Sequence, residues 1–211
     1  IVNQIVKCSS PITETSLPDH TDQSVWSAPM EQPRPRRTEG RTHLLNAALT
    51  LLRTKGYAGT SVDEICAAAG MTKGAFFHHF RSKEALGIAA AAHFSEWLEA
   101  LFERSGWRDH DDPLDRVFAY LDFRTHIFRG SLAHFTCLLG MMVQETYATH
   151  PAIRIACEAG IRLHAAPLEQ DIAAAMQARG ITGFTAEGLA EHIMAVIQGA
   201  FVLAKAEEGP D

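Results

Sequence analysis

Residues 59–80 read Gly59-Thr60-Ser61-Val62-Asp63-Glu64-Ile65-Cys66-Ala67-Ala68-Ala69-Gly70-Met71-Thr72-Lys73-Gly74-Ala75-Phe76-Phe77-His78-His79-Phe80. The apolar spacing in this stretch predicts two short helices, the first over about Val62–Ala69 and the second over about Thr72–His79. Gly70 lies between them and predicts a tight turn. Two short helices joined in this way are typical of a helix-turn-helix.

The residues on either side of this stretch predict further helices. A helix over about Thr38–Lys55 carries leucines at helical spacing and ends at Gly56, a residue type suited to the position after a helix. Ser61 and Glu64 match the capping box that starts a helix. A long helix is predicted over about 82–103.

The rest of the chain also has a helical pattern. A helix is predicted to start near Pro113, residues 131–149 predict one helix or a pair, and residues 152–179 predict a long helix bent at Pro167. Thr185 is predicted to cap the last helix. With eight or nine helices and almost no alternating β-branched residues, we expect an all-α protein.

The first 37 residues differ from the rest because they show no helical period and contain five prolines. We therefore expect residues 1–37 to be a disordered tail, and we hypothesise that Met30 is the natural start. No signal peptide and no apolar stretch of about 18 residues stands out. The four cysteines have no paired spacing, which indicates a reducing compartment. We expect a cytoplasmic protein with no membrane association.

Charge is unevenly distributed along the chain. The net charge is −6 for all 211 residues, but residues 34–84 carry +5 while residues 85–211 carry −8. A basic segment joined to an acidic one indicates that only the first contacts phosphate groups.

The second short helix begins with small residues. Glycine is less favourable than alanine in a helix interior by about 1 kcal/mol, so Gly74 is better explained by close approach of the backbone to DNA. Helix N-termini and basic side chains bind phosphate, and His78 is a candidate for either a base edge or a phosphate. The DNA contacts predicted from the residues are Thr60, Ser61, Thr72, Lys73, Gly74, Ala75, His78 and Lys83.

Other classes of function compete with sequence-specific DNA binding. A helix-turn-helix also occurs in proteins that never bind DNA, and an architectural DNA-binding protein would need no ligand. An enzyme is not expected, because no nucleophile–base pair, phosphate-binding loop or paired acid motif stands out, and no catalytic residue or cofactor is predicted.

Residues 38–86 resemble the DNA-binding domain of the TetR (tetracycline-repressor-like) family of bacterial transcriptional regulators. The matching elements, in order, are Leu49, Leu52, Gly56-Tyr57, Thr60-Ser61, Ile65, Ala68, Gly70, Lys73-Gly74, Phe76-Phe77-His78-His79-Phe80 and Lys83-Glu84-Ala85-Leu86. The resemblance implies a helix-turn-helix domain over 38–84, joined by a long helix to a regulatory domain over 85–208.

The family resemblance also implies how such a protein works. The regulatory domain is expected to bind a small, largely apolar effector and to dimerise through its last two helices, about 152–206. The dimer is expected to repress transcription from a near-palindromic site on double-stranded DNA. The family usually has tyrosine at Phe77 and uses its hydroxyl to bind a phosphate, so Phe77 is expected to pack on the sugar-phosphate backbone instead.

Aromatic and methionine side chains are frequent between residues 94 and 147 and predict a largely apolar cavity. For each single residue, packing in the core is the competing interpretation. The predicted ligand contacts are Phe94, Trp97, Phe118, His126, Phe135, Met141, Gln144 and Glu145. Cys137 and His134 lie one helical turn apart, but without a third ligand we expect no metal site.

Overall fold

A computed structural model describes residues 36–127 and 136–207. Within these two ranges the chain forms eight α-helices and no β-strand. The helices are α1 (Arg36–Lys55), α2 (Val62–Ala68), α3 (Lys73–His79), α4 (Lys83–Arg104), α5 (Pro113–His126), α6 (Leu138–Thr146), α7 (Pro151–Arg179) and α8 (Ala186–Ala206). The prediction of an all-α protein that begins with a helix-turn-helix domain is confirmed.

The start of α2 has the predicted capping box. The Ser61 hydroxyl accepts a hydrogen bond from the Glu64 amide, and the Glu64 carboxylate accepts one from the Ser61 amide at 2.8 Å. Hydrogen bonds from Lys55 and from Ser61 lower the pKa of Glu64 to about 2, so the carboxylate stays ionised at any ordinary pH. Local chemistry therefore places the N-terminus of α2 independently of the rest of the fold.

The turn between α2 and α3 is made by Gly70, which has a φ of +64°. An L-residue with a side chain rarely adopts this conformation, whereas glycine does so readily. Thr72 then caps α3 by accepting a hydrogen bond from the Ala75 amide at 3.2 Å. Phe76 is fully buried and Phe80 nearly so, which anchors α3 on the core made by α1 and α2.

The remaining helices form a bundle around α7. This helix packs against α4, α5, α6 and α8, and its residues Ile153, Cys157 and Leu168 are completely buried. Because α4 also packs against α1, it runs from the helix-turn-helix domain into the bundle. A single hydrophobic core extends from one part to the other.

Several boundaries differ slightly from the sequence predictions. Helix α1 begins at Arg36, two residues before the predicted start. Within the predicted segment 131–149, the described helix covers Leu138–Thr146. The predicted disordered tail covered residues 1–37, but Arg36 and Arg37 belong to α1. Residues 1–35 lie outside the described residues, as do residues 128–135 with His134 and Phe135.

One carboxylate is buried in the bundle. Asp171 on α7 is 2 % exposed and receives Nε of Arg116 at 2.8 Å and Nε of Arg108 at 3.2 Å. The ion pairs connect α7 to α5 and to the loop before it. Burial of a charged group is tolerated because two guanidinium groups surround it.

Helix α8 is long and apolar enough, by length and composition alone, to cross a membrane. The sequence was expected to contain no such segment, because polar residues interrupt the apolar run of α8, but the mean hydropathy over 18 residues of this helix is high. A helix that packs inside a protein passes the same test, so this is weak evidence. In this structure α8 packs along α7.

Candidate nucleic-acid interface and regulatory cavity

The first turn of α3 lies at the surface. Thr72, Lys73 and Gly74 are exposed, Ala75 is half-buried, and His78 one turn later is exposed. Phe76 lies on the opposite side of α3 and is buried, and so is Phe80, the residue directly after the helix. The helix therefore presents its small and basic residues outward.

Lys73 forms an ion pair with Asp63 at the start of α2, with Nζ 2.8 Å from Oδ1. Both side chains are more than half exposed, so the pair contributes little to stability. Its hydrogen bond to Asp63 raises the pKa of Lys73, and the ammonium stays charged at neutral pH. A phosphate group can compete for this ammonium at little cost.

Gly74 has free space around it within the protein. A Cβ atom added at this position would have the Thr72 hydroxyl, at 3.8 Å, as its nearest neighbour among the described residues. That distance is an ordinary van der Waals contact. Packing inside the protein therefore gives no reason for glycine here.

Phe77 is 54 % exposed, and its ring meets the buried ring of Phe76 edge to face with centroids 5.2 Å apart. Phe77 is thus a large apolar side chain that remains partly in contact with water, on the same surface as Lys73 and His78. The position is suited to contact with a partner that presents sugar rings and methyl groups.

The side chain of one predicted DNA contact, Thr60, lies inside the protein. Thr60 is 1 % exposed, and its hydroxyl donates a hydrogen bond to the Gly56 carbonyl at 2.7 Å. It therefore stabilises the loop between α1 and α2 rather than facing outward. Its neighbour Ser61 is exposed and caps α2.

Lys83 at the start of α4 is half-buried. Its ammonium lies 4.3 Å from the centroid of the Tyr57 ring, and burial lowers the pKa of Lys83. The cation–π contact with Tyr57 directs the lysine along the surface between α4 and the loop after α1.

A cavity of about 40 Å³ lies in the bundle, with room for roughly three water molecules. It is lined by aromatic and aliphatic side chains from α4, α7 and α8, together with polar groups from α1, α5 and the segment before α6. The described residues around it are Arg53, Phe94, Trp97, Leu98, Arg124, Ile127, Thr136, Cys137, Leu139, Gly160, Ile161, His164, Met194, Gln198 and Phe201.

Arg53 reaches this cavity from α1, the first helix of the helix-turn-helix domain. Its Nε donates a hydrogen bond to the Thr136 carbonyl at 3.1 Å, and its guanidinium carbon lies 5.7 Å from the centroid of the Phe94 ring. Burial lowers the pKa of Arg53 to about 10, which leaves the group charged at neutral pH.

Arg124 and His164 form a second polar group in the cavity wall. Arg124 is 5 % exposed, and its guanidinium carbon lies 5.6 Å from the Phe102 ring centroid. The His164 ring nitrogen Nε2 lies 3.1 Å from the Tyr120 hydroxyl. Burial, together with the positive charge of Arg124, lowers the pKa of His164 to about 3, so this imidazole is neutral.

Sequence profiles of known families match both parts of the chain. Residues 44–90 match the family described as "Bacterial regulatory proteins, tetR family". Residues 113–210 match "Transcriptional regulator LmrA/YxaF-like, C-terminal domain". The chain belongs to the TetR family of bacterial regulators.

Individual TetR-family proteins show the same relationship. The chain is 31 % identical over 127 residues to the HTH-type transcriptional repressor NemR of Escherichia coli K12, an alignment covering 58 % of this chain and 61 % of NemR. It is 32 % identical over 118 residues to the transcriptional regulator AcuR of Cereibacter sphaeroides, covering 54 % and 52 % of the two chains. The chain thus matches only about half to three fifths of the length of these curated relatives.

Solved structures extend the likeness to most of the chain. A TetR transcriptional regulator from Chloroflexus aurantiacus superposes with a TM-score of 0.73 at 29 % identity, covering 83 % of this chain and 88 % of that one. The reduced form of E. coli NemR superposes with a TM-score of 0.69 at 27 % identity, covering 82 % and 90 %.

The predicted ligand contacts of this TetR-family chain do not all lie in one cavity. Phe94 and Trp97 line the cavity. Phe135 lies outside the described residues. The other five predicted contacts, Phe118, His126, Met141, Gln144 and Glu145, are not in the cavity wall.

Each of these five side chains lies elsewhere in the structure. Phe118 and Gln144 are exposed on the outer surface, and His126 binds the Asp122 carbonyl at 2.7 Å through Nδ1. Met141 accepts a hydrogen bond from Lys205 at 3.0 Å. The periodicity of an amphipathic helix does not say which part of its surface faces a cavity.

Glu145 makes a contact between the two parts of the chain. Its carboxylate accepts a hydrogen bond at 2.8 Å from the amide of Ala58, in the loop after α1. Gly56 in that loop has a φ of +78°, and a Cβ there would collide with the same carboxylate. The end of α6 therefore holds the loop that leads into the helix-turn-helix.

Sequence reasoning missed both arginines of the cavity. A signal was present, because Arg53 continues the buried Leu45–Leu49 face of α1 at a spacing of four residues. Arg124 likewise follows the buried residues Val117 and Tyr120 on one face of α5. A charged residue on the buried face of a helix is rare unless it is paired or functional.

Proposed function

We propose that this TetR-family chain is a ligand-responsive transcriptional repressor that binds a near-palindromic operator as a homodimer. The observation that carries the proposal is the outward-facing first turn of α3, with Lys73, Gly74 and His78 exposed. Several of its relatives are named repressors, including NemR. We also propose that the chain acts in the cytoplasm and is not an enzyme.

The proposed DNA contacts follow from exposure and charge. Lys73 and Lys83 supply ammonium groups for phosphates, while Ser61 and Thr72 supply exposed hydroxyls at helix N-termini. A recognition helix is read from its N-terminal residues in the major groove. Gly74 and Ala75 allow the backbone of α3 to approach, while Phe77 and His78 contact the groove edge.

The proposed dimer interface is formed by α7 and α8. Both helices leave large apolar side chains exposed in the single chain, and their burial in a second copy would remove them from water. The residues are Ile155, Leu163, Val196, Val202 and Leu203. A two-fold axis there would set two α3 helices about 34–36 Å apart, which is one turn of DNA.

The proposed response to a ligand uses contacts that join the two parts of the chain. Arg53 connects α1 to the cavity and Glu145 connects α6 to the loop after α1. A molecule bound in the cavity would shift these contacts and α4 with them, changing the separation of the two α3 helices. Ligand and operator then weaken each other's binding by the same factor.

A gel-shift experiment tests the proposal with the DNA upstream of the chain's own gene. We expect retardation that survives about 0.15 M salt and competition by unlabelled specific DNA but not by unrelated DNA. Lys73→Ala should weaken binding, whereas Arg162→Ala, which removes an exposed cation on α7, should not. Binding without sequence preference would indicate an architectural DNA-binding protein, and no retardation at low salt would refute the proposal.

A further inference from the structure

We propose that the effector is a small organic acid whose carboxylate binds between Arg53 and Arg124 in the bundle cavity. This inference rests on the proposed function and deepens it, because it names the chemical class of the ligand and the residue that senses it. Arg53 is the sensor, since it belongs to α1 of the helix-turn-helix domain.

The charge of the cavity wall carries the first step. Two guanidinium groups line it, and none of its described lining residues is an aspartate or a glutamate. Residues 128–135, which connect Ile127 to Thr136, contain no acidic residue in their sequence either. His164 is neutral at physiological pH, so it adds no negative or positive charge. The cavity is therefore electropositive in an otherwise acidic part of the chain.

The second reason for an acid is the energetics of the Arg53 guanidinium, which lies in the cavity wall. Holding a charge away from water costs free energy unless an opposite charge or hydrogen bonds offset it. Arg53 uses Nε for the Thr136 carbonyl, and a guanidinium has five N–H donors in all. A carboxylate accepts two parallel bonds from such a group and neutralises it at the same time.

The size and lining of the cavity limit the rest of the ligand. About 40 Å³ is far below the roughly 300–1,000 Å³ of pockets for drug-sized molecules. Phe94, Leu98, Ile161 and Phe201 supply an apolar wall next to the arginines. The proposed ligand is accordingly a short-chain acid of a few heavy atoms rather than a neutral drug-like compound.

The position of Arg53 carries the last step, from binding to response. Arg53 lies in the last turn of α1, close to the loop that Glu145 holds. A carboxylate that draws its guanidinium into the cavity competes with the Thr136 carbonyl and moves α1, against which α2 and α3 pack. The acid is thereby coupled to the DNA-reading helix without an intermediate element.

Isothermal titration calorimetry and thermal unfolding of the full chain test the inference with defined probes. Sodium formate, acetate, propionate and butyrate are compared with their primary amides at equal ionic strength. We expect at least one acid to bind and to raise the melting temperature, while its amide does neither. Arg53→Gln should weaken that binding by about tenfold to a hundredfold, and Arg53→Lys by less.

Arg162→Gln serves as the control, because this arginine is exposed on α7 and pairs with Glu158. It should bind the acid as the unmodified chain does. Circular dichroism shows whether Arg53→Gln folds, and the comparison of acid with amide on the unmodified chain stands even if that variant does not.

Three outcomes would overturn the inference: no acid of the panel binds the folded chain, an amide binds as well as its acid, or folded Arg53→Gln binds the acid unchanged. The gel shift separates this failure from failure of the proposed function. Specific DNA binding without acid binding refutes the carboxylate site alone, whereas acid binding without DNA binding refutes the regulator alone.

Discussion

Among single residues, Gly74 allows the effect of a substitution on stability to be measured separately from its effect on the proposed DNA contact. Because a Cβ at this position meets nothing closer than 3.8 Å, we expect Gly74→Ala to keep or raise stability, by up to about 1 kcal/mol. The added methyl should nevertheless weaken operator binding several-fold, since α3 approaches DNA with this turn. Thermal unfolding and a gel shift measure the two effects, and unchanged DNA affinity would contradict the proposed close approach.

Phe77 allows the opposite test, a gain of affinity. The side chain is 54 % exposed, so Phe77→Tyr adds a hydroxyl in solvent and should leave stability unchanged. If this surface faces the DNA backbone, the hydroxyl gains a phosphate hydrogen bond worth about 1 kcal/mol, or some fivefold in affinity. Tyr147→Phe, which removes an exposed hydroxyl far from α3 in the sequence, is the control. Equal affinities of Phe77→Tyr and the unmodified chain in a gel shift would argue against this orientation of α3.

At the scale of helices, Asp171 holds α7 against α5. Removing the carboxylate leaves the cations of Arg108 and Arg116 without their shared partner, so Asp171→Ala should lower the free energy of unfolding by about 3 kcal/mol or more. Glu158→Ala is a matched control, because Glu158 also pairs with two arginines but is exposed, and such pairs contribute about 1 kcal/mol or less. Urea unfolding of both variants measures the difference, which should vanish if burial of the ion pairs is unimportant.

His164 on α7, which contacts Tyr120 on α5, predicts that the stability of the fold depends on pH. Its pKa is about 3 in the folded chain and near 6.5 in the unfolded chain, so the unfolded state binds more protons between these values. Stability is therefore constant above pH 6.5 and falls below it, by up to about 1.4 kcal/mol per pH unit. Melting temperatures from pH 7.5 to 5.0 should fall less for His164→Gln than for the unmodified chain. Parallel curves would show that His164 is protonated at no cost.

At the scale of the whole molecule, the exposed apolar side chains of α7 and α8 predict the oligomeric state. Val202 is 52 % exposed in the single chain, and Val202→Glu should convert a dimer into a monomer because it places a charge in the proposed interface. Tyr147→Glu changes a still more exposed side chain outside these helices and should leave the dimer intact. Analytical ultracentrifugation distinguishes the two, and a monomeric unmodified chain would refute this interface.

Much of the helix-turn-helix could be predicted from the sequence because its signals are local. The Ser61–Glu64 capping box, the turn at Gly70 and the cap at Thr72 act between residues at most four positions apart. Such interactions are present in any chain with these residues in this order. Thr60 was the exception, since a hydroxyl can either face outward or donate to the carbonyl of Gly56, and the sequence does not distinguish the two.

The cavity could be predicted only in part. Aromatic residues between 94 and 147 indicated that a cavity would form, and Phe94 and Trp97 line it. The rotation of α5 and α6 about their axes depends on packing against α7, so Phe118 and Gln144 lie on the outside instead. Periodicity sets which residues share a face but not which neighbour that face meets.

The helical class, the caps of α2 and α3 and the turn at Gly70 follow from the sequence, because caps, glycine turns and apolar spacing are short-range interactions. Which partners the charged side chains meet depends on the packing of distant helices. Arg53 and the Thr136 carbonyl are 83 positions apart, and Ala58 and Glu145 are 87 apart. Contacts over such separations depend on how α1, α4 and α6 pack, and that packing brings the cation of Arg53 from α1 into the wall of the bundle cavity.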